Sequence, residues 1–331
     1  MGFKICVVGC GNISFKGHGP ALAKYARETP DVELSACCDL EGAKAERFKE
    51  AFGFGKSFTD LDDMLRSERP DAVSLFVPPS VTADIALRIV GQGYPLLVEK
   101  PPGLNKEEIY KIIAKAEEKG VPNMVAFNRR FMPVILKARE ILSALSKTST
   151  FQFIRYDMFR HGRTNKNYGN AGIHGIDTTL YLACTACTGA RMKYFDLQEP
   201  AGGGVNVHLD LSLQNGGMAR LDFTSASGAT LETAMVVLDH NTIVVSIPTW
   251  GDTEPYGRVL HYQNDKLVDD VDGVTLCAER SRYVANGFYG EDRYFLDCIR
   301  NGVRPQHDLR TSIQSVILMN CLDERVESYS F

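Results

Sequence analysis

The sequence has no long run of apolar or basic residues. None of its apolar stretches approaches the roughly 18 residues that a membrane-spanning helix needs, and Lys and Arg are scattered through the chain. The formal net charge at neutral pH is −4. Because nucleic acids and anionic membranes attract strongly basic surfaces, we expect neither as a partner. The composition is that of an ordinary soluble globular protein.

The nine cysteines lack the spacing of a metal site or a disulfide framework. Cys184 and Cys187 form a CxxC pair, but no second pair and no histidine stands at ligand spacing from it. We therefore expect reduced thiols and no metal. The N-terminal apolar run leads directly into a glycine turn, which is not typical of a secretory signal peptide. These features together predict a cytoplasmic location.

The N-terminal part of the chain, positions 1–127, alternates between short apolar runs and amphipathic stretches. The runs typical of buried strands are 3–9, 32–38, 56–58, 72–77, 95–99 and 124–127. Helical patterns lie between them, at 13–28, 41–52, 60–67, 80–91 and 105–119. The alternation predicts an α/β fold over residues 1–127, a doubly wound parallel sheet with helices on both faces.

The pattern changes after residue 128. A helix at 131–145, a strand at 151–159 and a helix at about 170–183 are followed by strands with short turns. We predict those strands at 192–198, 205–213, 217–224, 230–239, 242–248, 258–263 and 266–271, and closing helices at 287–301 and 309–327. Residues 128–331 are thus expected to form an α+β domain with a large, mostly antiparallel open sheet.

The first predicted strand ends in the glycine-rich segment GCGNIS, residues 9–14. Gly9 permits a tight turn, and Gly11 lets the backbone approach a pyrophosphate. Asn12 and Ile13 open the following helix, whose N-terminal amides favour negative charge. Ser14 replaces the third glycine of the GxGxxG pattern. A glycine turn without a nucleotide is the alternative interpretation.

The second predicted strand ends at Asp39. An acid at this position accepts hydrogen bonds from the adenosine ribose hydroxyls and repels a 2′-phosphate. No arginine follows it directly, as a phosphate site would require. The sequence therefore favours NAD over NADP as cofactor. A solvated loop acid is the alternative.

Seven motifs, in this order, resemble those of the Gfo/Idh/MocA oxidoreductase family. They are VVGCGNISFKGHGPAL, CCD, VPPSVTADIAL, VEKPPG, VAFNRRFMP, AGIHGID and GFYGEDRYFLDCIRNG. The resemblance covers essentially the whole chain and is most specific in the EKP and GxHxxD elements. It implies an NAD(P)-binding Rossmann domain, here residues 1–127, followed by an α/β domain with an open sheet for substrate binding and oligomerisation, here residues 128–331. It also implies an NAD(P)-dependent dehydrogenase or reductase acting on a sugar, inositol, sugar acid or related polyol.

The EKP element is VEKPPG, residues 98–103. The resemblance implies that Lys100 lies between nicotinamide and substrate, where it would hydrogen-bond the reacting hydroxyl and stabilise a developing alkoxide. Glu99 would face the nicotinamide ribose. The other cofactor contacts implied by the resemblance are Val77, Pro78 and Asn128. A solvated Glu–Lys pair at the end of a strand is the alternative.

The stretch GNAGIHGID places Asn170, His174 and Asp177 on one face of a predicted helix. The resemblance implies that His174 takes the proton of the substrate hydroxyl, a role suited to a group that titrates near neutral pH. Asn170 departs from the family, which usually has Asp there. An amide can orient an imidazole or bind a hydroxyl, but it carries no charge. A satisfied core histidine is the alternative for His174.

Further substrate contacts are expected from Asn170, Asp177, Tyr168 and Arg129. The segment 155–169 is rich in Arg and His, which is typical of a site for a carboxylate or phosphate, or of a solvated basic loop. One arginine of the pair in FNRRF is a candidate for a purely structural role.

Two other functions are compatible with the sequence. The first is a non-catalytic NAD(P)-binding sensor or co-regulator of the same fold, which the amide at position 170 keeps open. The second is a glycosidase that uses bound NAD for a transient oxidation. The apolar strand runs TAMVVLD and TIVVSIP need a cover. We therefore expect a homodimer or homotetramer formed through the open sheet face.

Overall fold

The computed structural model of the protein describes residues 2–164, 168–198 and 203–331. Its chain divides into two compact units. The first comprises Met1–Asn128 and Phe288–Ile313, and the second comprises Arg129–Gly287 and Gln314–Phe331. The segment 288–313 was predicted with the C-terminal domain, but its contacts place it in the first unit.

The first unit is built on a six-stranded parallel sheet. Its strands are β1 (Phe3–Val8), β2 (Val32–Cys38), β3 (Lys56–Phe58), β4 (Ala72–Leu75), β5 (Leu96–Glu99) and β6 (Asn123–Ala126). The order is β3-β2-β1-β4-β5-β6, so the direction of winding reverses between β1 and β4. Ligands of such sheets bind beyond the carboxyl ends of the strands at this reversal.

Helices follow the strands of this sheet in the order that the sequence pattern predicts. They are α1 (Gly19–Glu28), α2 (Gly42–Phe52), α3 (Leu61–Glu68), α4 (Pro79–Gly91) and α5 (Lys106–Glu118), and a π-helix (Ser14–His18) precedes α1. The side chain of Asn105 accepts a hydrogen bond from the amide of Glu108 and caps α5, as Asn does at helix N-termini. A 3₁₀ helix spans Asn128–Phe131.

The second unit contains a nine-stranded sheet. Its strands are β7 (Phe151–Phe159), β8 (Cys187–Asp196), β9 (Val205–Leu213), β10 (Met218–Thr224), β11 (Leu231–Leu238), β12 (Asn241–Ile247), β13 (Arg258–Gln263), β14 (Lys266–Asp272) and β15 (Ser328–Ser330). The order is β14-β13-β12-β11-β7-β10-β9-β8-β15. Only the β7–β10 pair is parallel among these described strands.

The remaining helices are α6 (Pro133–Leu145), α7 (Gly169–Ala183), α8 (Gly273–Leu276), α9 (Arg282–Ala285), α10 (Phe288–Arg300) and α11 (Ile313–Asp323), with a 3₁₀ turn at Leu309–Ser312. Residues along β11 and β12 alternate between buried and half-buried positions. The buried set packs with α6, α7 and α11 into one core. The sheet therefore has one face covered by helices of its own unit.

The predicted fold class is confirmed: a parallel Rossmann sheet and a second, mostly antiparallel sheet. Among the described residues, no helix combines the length and apolarity needed to cross a membrane.

Candidate active site

The glycine loop after β1 requires glycine at its first position. Gly9 has φ of +93°, and a Cβ there would lie 2.2 Å from the carbonyl oxygen of Phe76. With any other residue, the backbone would be strained and the side chain would collide with that carbonyl oxygen. The hydroxyl of Ser14 donates to the carbonyl oxygen of Gly9 at 2.7 Å, and the Ser14 side chain is fully buried. Serine in place of the third glycine therefore closes the loop with a hydrogen bond.

Asp39 braces the same loop from the end of β2. One carboxylate oxygen accepts from the backbone amide of Cys10 at 2.8 Å, and the other accepts from the amide of Glu41 at 2.9 Å. The side chain remains partly exposed. A carboxylate oxygen has more than one lone pair, so Asp39 can hold the loop and still accept hydrogen bonds from a ligand. The sequence pointed to this residue but not to its contact with Cys10.

The remaining cofactor candidates of the first unit follow the carboxyl ends of three neighbouring strands. Val77 and Pro78 come after β4, Glu99 and Lys100 stand at the end of β5, and Asn128 comes after β6. Because the sheet is parallel, these ends share one edge with the glycine loop and Asp39. All residues that the sequence predicts to contact a cofactor therefore lie at one edge of this sheet.

The EKP segment leads from this edge into the interior of the unit. Glu99 is 9% exposed and Lys100 is partly exposed. The Lys100–Pro101 peptide bond is cis. Because Pro101, Pro102 and Gly103 are buried, the backbone after Lys100 is packed within the unit.

His18 is a site residue that sequence reasoning missed. It ends the π-helix, is fully buried, and lies between the carboxylates of Glu99 and Asp292. Its Nδ1 is 2.9 Å from Asp292 Oδ1, and its Nε2 is 3.3 Å from Glu99 Oε1. The only sequence signal was a histidine a few residues beyond the glycine loop, which alone is compatible with simple packing.

These features fit a dinucleotide. The strained Gly9 turn gives the backbone a close approach, the helix that follows it offers N-terminal amides, and Asp39 supplies an acceptor at the end of β2. Gly11 has open space where a side chain would stand, since a Cβ there would meet nothing within 4 Å. The residues predicted from the sequence thus lie where a dinucleotide would fit, and their contacts with it stay a prediction.

The proposed catalytic helix α7 belongs to the second unit. Asn170 is exposed on its first turn, His174 is half-buried on the next, and Asp177 is buried on the turn after that. The helix lies close to its sheet, because a Cβ on Gly175 would stand 2.9 Å from the Phe223 ring and 3.1 Å from the Tyr156 ring. The predicted helix face is thus present, and the burial of its side chains increases from Asn170 to Asp177.

Asp177 forms a buried ion pair. Its two oxygens accept from Nη2 and Nε of Arg130 at 2.6 and 2.8 Å, and the Ser315 hydroxyl donates to it at 3.2 Å. This bidentate geometry satisfies the carboxylate within the unit. Substrate binding by Asp177 stays a prediction, and the observed contacts give it a structural role.

Arg129 and Tyr168 are also buried. Arg129 makes a bidentate pair with Glu232 at 2.6 and 2.9 Å. Although burial alone would lower the pKa of Arg129, the charge of Glu232 outweighs it and raises that pKa. Tyr168 is 1% exposed and stacks on Phe223, and burial raises its pKa to about 12. Their predicted contact with substrate is untested, and these contacts favour packing roles. Residues 165–167 of the basic segment lie outside the described part of the chain.

Comparison with known proteins identifies the first unit. Residues 3–127 match the family model described as "Oxidoreductase family, NAD-binding Rossmann fold". The chain is 26% identical over 191 residues to D-glucoside 3-dehydrogenase of Escherichia coli, with 54% of this chain and 53% of that protein covered. It is 28% identical over 143 residues to the scyllo-inositol 2-dehydrogenase (NADP(+)) IolU of Bacillus subtilis, covering 41% and 44%.

A solved structure shares the fold over the full length. An oxidoreductase from Agrobacterium radiobacter, crystallised with NAD+, L-tartaric acid and magnesium, superposes with a TM-score of 0.81. The two chains are 13% identical, and the superposition covers 100% of this chain and 98% of that one. The sequence matches are shorter, since the chain spans about half the length of the curated relatives. The structural likeness therefore extends the fold, and the fold alone, to the second unit.

Proposed function

Because the Rossmann domain of this chain belongs to the Gfo/Idh/MocA oxidoreductase family, we propose that the protein is an NAD-dependent oxidoreductase. Its substrate would be a sugar, inositol, sugar acid or related polyol, which reacts at a carbinol carbon. The observation that carries the proposal is the single sheet edge that gathers the Gly9 turn, Asp39 and the EKP segment. The names of the relatives, a glucoside and an inositol dehydrogenase, support the substrate class.

Asp39 and its neighbours favour NAD as the cofactor. Asp39 is followed by Leu40, which is 93% exposed, and by Glu41, so neither of the next two residues supplies a cation for a 2′-phosphate. The ammonium of Lys44, which lies nearby, is paired with Glu41. Position 39 is the one to test, because a relative named for NADP(+) belongs to the same set of matches.

The proposed chemistry divides between two side chains. Bound NAD+ supplies the acceptor for the hydride that leaves the substrate carbon. Lys100 hydrogen-bonds the reacting hydroxyl, and its positive charge stabilises the oxygen as negative charge develops there. His174 removes the hydroxyl proton and returns it when the reaction runs toward the alcohol.

Asn170 places a neutral amide, and not a carboxylate, near His174 on the same helix face. Its amide stands one turn before His174 and is exposed. We assign it to binding a substrate hydroxyl and to orienting the imidazole, both of which a neutral amide can do. A cofactor-binding sensor without turnover remains the competing function, and the same amide is what favours it.

We also propose that two copies of the chain associate through the uncovered face of the second sheet. Facing residues on this side of β7, β11, β12 and β13 form an apolar patch, consisting of Phe153, Val237, Met235, Val244, Leu260 and Tyr262. A band of mixed charge adjoins the patch on β7, β9 and β10. A patch of this kind suits a symmetric contact. A cytoplasmic location stays a prediction, favoured by nine cysteines that are all free thiols.

The cofactor proposal is tested by titrating the protein with NADH and, separately, NADPH. Asp39→Ala removes both the acceptor for ribose and the brace on Cys10, so NADH affinity should fall by about ten- to hundredfold. Asp39→Asn keeps an oxygen for the Cys10 amide but loses the charge. It should bind NADH better than Asp39→Ala does, and its preference for NADH over NADPH should shrink.

The matched control is Asp84→Ala, which removes an exposed acid from α4. It should leave both affinities unchanged. Wild-type protein that binds neither nucleotide would refute the enzyme proposal outright. Binding without turnover of any polyol or sugar acid, and with no difference between wild type and Lys100→Ala, would favour the sensor.

A further inference from the structure

The first unit buries a compact cluster of ionisable side chains directly beside the EKP segment. His18, Glu291 and Asp292 are each 0% exposed, and Glu99 is 9% exposed. One ring nitrogen of His18 and one carboxyl oxygen each of Glu291 and Asp292 lie within 4.8 Å of one another. Such a concentration of acids away from water is costly unless protons or counter-charges balance it.

Two aromatic rings hold the imidazole of His18 in place. Its ring stacks on Phe76 with centroids 3.7 Å apart and an interplanar angle of 13°. The Phe288 ring meets it edge-on at 5.0 Å. Gly17 leaves room for Phe288, because a Cβ there would stand 2.7 Å from that ring. With the ring plane held this way, each nitrogen faces one carboxylate.

The two facing carboxylates give each ring nitrogen of His18 an acceptor for a hydrogen bond. Nδ1 faces Asp292 on α10 at 2.9 Å, and Nε2 faces Glu99 at the end of β5 at 3.3 Å. A neutral imidazole has one N–H, so only the imidazolium donates in both directions. Burial opposes the charged ring, but Asp292, through its charge and its hydrogen bond, and Glu99, through its hydrogen bond, raise the pKa of His18 to about 10.

Glu291 completes the charge balance. Neither of its carboxyl oxygens has a hydrogen-bond partner among the described residues. Burial raises the pKa of Glu291 well above its usual range, and the carboxylates of Asp292 and Glu99 add to this against the charge of His18. The neutral carboxyl form removes one negative charge from the cluster. Burial also raises the pKa of Asp292, while the charge and hydrogen bond of His18 oppose that rise. With His18 charged and Glu291 neutral, a cation lies between the carboxylates of Asp292 and Glu99.

We propose that His18 is a positioning residue: as an imidazolium anchored to Asp292, it holds the carboxylate of Glu99 in place beside Lys100. This inference rests on the proposed function, in which Glu99 faces the nicotinamide ribose. Asp292 and Glu291 lie on α10, a helix that comes far beyond the EKP segment in the sequence. The closing helix of the first unit therefore sets the geometry of its cofactor edge.

The protonation state is tested on wild-type protein by histidine-selective NMR, with His18→Leu used to assign the signal. The His18 ring should stay protonated from pH 6 to 8.5. Its contribution to folding stability should be fully present below about pH 6.5, the ordinary value, and should be lost as the pH rises through about 10. In Asp292→Asn, the negative charge that favours the imidazolium is lost, and the effect of burial lowers the pKa of His18. The ring should then become neutral within the same pH range.

Glu291→Gln is the matched control. Because the amide mimics a neutral carboxyl, the signal of His18 should keep its wild-type pH dependence. A wild-type ring that loses its proton near pH 6.5 would overturn the proposal. Stoichiometric metal in the purified protein, lost in Glu291→Gln, would do so too, since a bound cation would then hold the cluster together.

The positioning role is tested by NADH affinity in a double-mutant cycle. Glu99→Gln and His18→Leu should each weaken NADH binding by about three- to tenfold. The double variant should bind like Glu99→Gln alone, because His18 acts through Glu99. His18→Gln, which keeps one N–H donor, should recover part of the loss.

The outcomes separate the two proposals. Wild-type protein that binds no nucleotide refutes the proposed function, while the NMR titration still reports on His18 directly. Wild-type binding that weakens in Glu99→Gln but not in His18→Leu overturns the positioning role. So do losses that add in the double variant.

Discussion

At the scale of single residues, the carboxylate of Asp177 receives hydrogen bonds from two nitrogens of Arg130 and from the Ser315 hydroxyl. The side chains of Asp177 and Arg130 are 2% and 6% exposed. Removing one partner of such a pair leaves an uncompensated buried charge, which costs more than the pair itself contributes. Asp177 is therefore expected to act on stability first.

Asp177→Asn should lower the free energy of unfolding by about 3–5 kcal/mol, because Arg130 loses its counter-charge in a buried setting. Urea unfolding measures this directly. NADH affinity of the folded variant should stay within twofold, since the cofactor residues belong to the other unit.

The matched control for that experiment is Asp210→Asn. Asp210 pairs with Arg220 at 3.8 Å, and the side chains of Asp210 and Arg220 are 45% and 44% exposed. Exposed pairs contribute little, so the free energy of unfolding should change by less than about 1 kcal/mol. Equal effects of the two substitutions would contradict the structural role of Asp177.

These pairings explain what the sequence could not supply at this scale. Glycine spacing and strand ends pointed to Gly9, Asp39 and Lys100, because local chain geometry dictates such positions. The partners of Arg129 and Arg130 stand 103 and 47 residues away. A single sequence does not show which acid pairs with a given arginine. Arginines that form buried ion pairs therefore look the same in the sequence as arginines that bind a substrate. His18 was missed for the same reason.

At the scale of elements, α7 lies so close to β7 and β10 that glycine is required at its contact point. A Cβ on Gly175 would stand 2.9 Å from Phe223 and 3.1 Å from Tyr156. Gly175→Ala should destabilise the protein by about 1–3 kcal/mol, because two packed rings must move. The same shift would move His174, so turnover should fall more than NADH affinity.

Gly91→Ala provides the comparison. Gly91 ends α4, and a Cβ there would meet nothing within 4 Å. Since alanine favours helix over glycine, this variant should be neutral or more stable by up to about 1 kcal/mol. A melting temperature of Gly175→Ala at or above that of wild type would show that α7 does not need close contact.

Element boundaries were predictable where apolar periodicity is strong. Strands such as β2 and β9 match their predicted ranges, since their buried residues follow one another or alternate regularly. The strand expected at 192–198 instead begins at Cys187, where CTGA shows no alternation to signal it. The helix expected over 13–28 starts as a π-helix at Ser14–His18, a change of winding that apolar periodicity does not reveal.

At the scale of the whole chain, the sequence predicted two units but did not show which segments belong to each. Helix α10 belongs to the first unit, where Asp297 accepts from the Tyr25 hydroxyl at 2.7 Å and Arg300 pairs with Asp31. Its apolar pattern says only that one face is buried. Which unit buries it depends on contacts between opposite ends of the sequence, and these are set by the fold.

The sequence is equally limited for the uncovered face of the second sheet. Its apolar strands predict that something packs against this face, but they do not show what. Val244 sits within the apolar patch, with Met235 on one side and Leu260 on the other. Val244→Lys would place an unpaired charge in the proposed contact, which two copies cannot desolvate cheaply. Sedimentation at micromolar concentration should show a dimer or tetramer for wild type and a monomer for this variant.

Ala51→Lys adds the same charge at an exposed position of α2 and should leave the assembly intact. The folded state of each variant can be checked by NADH binding, because the patch and the cofactor edge belong to different units. If Val244→Lys stays assembled while wild type is oligomeric, the contact uses another surface. If wild type is already a monomer, the apolar patch must be tolerated in water, and its alternation would reflect only the pairing of β11 with β12.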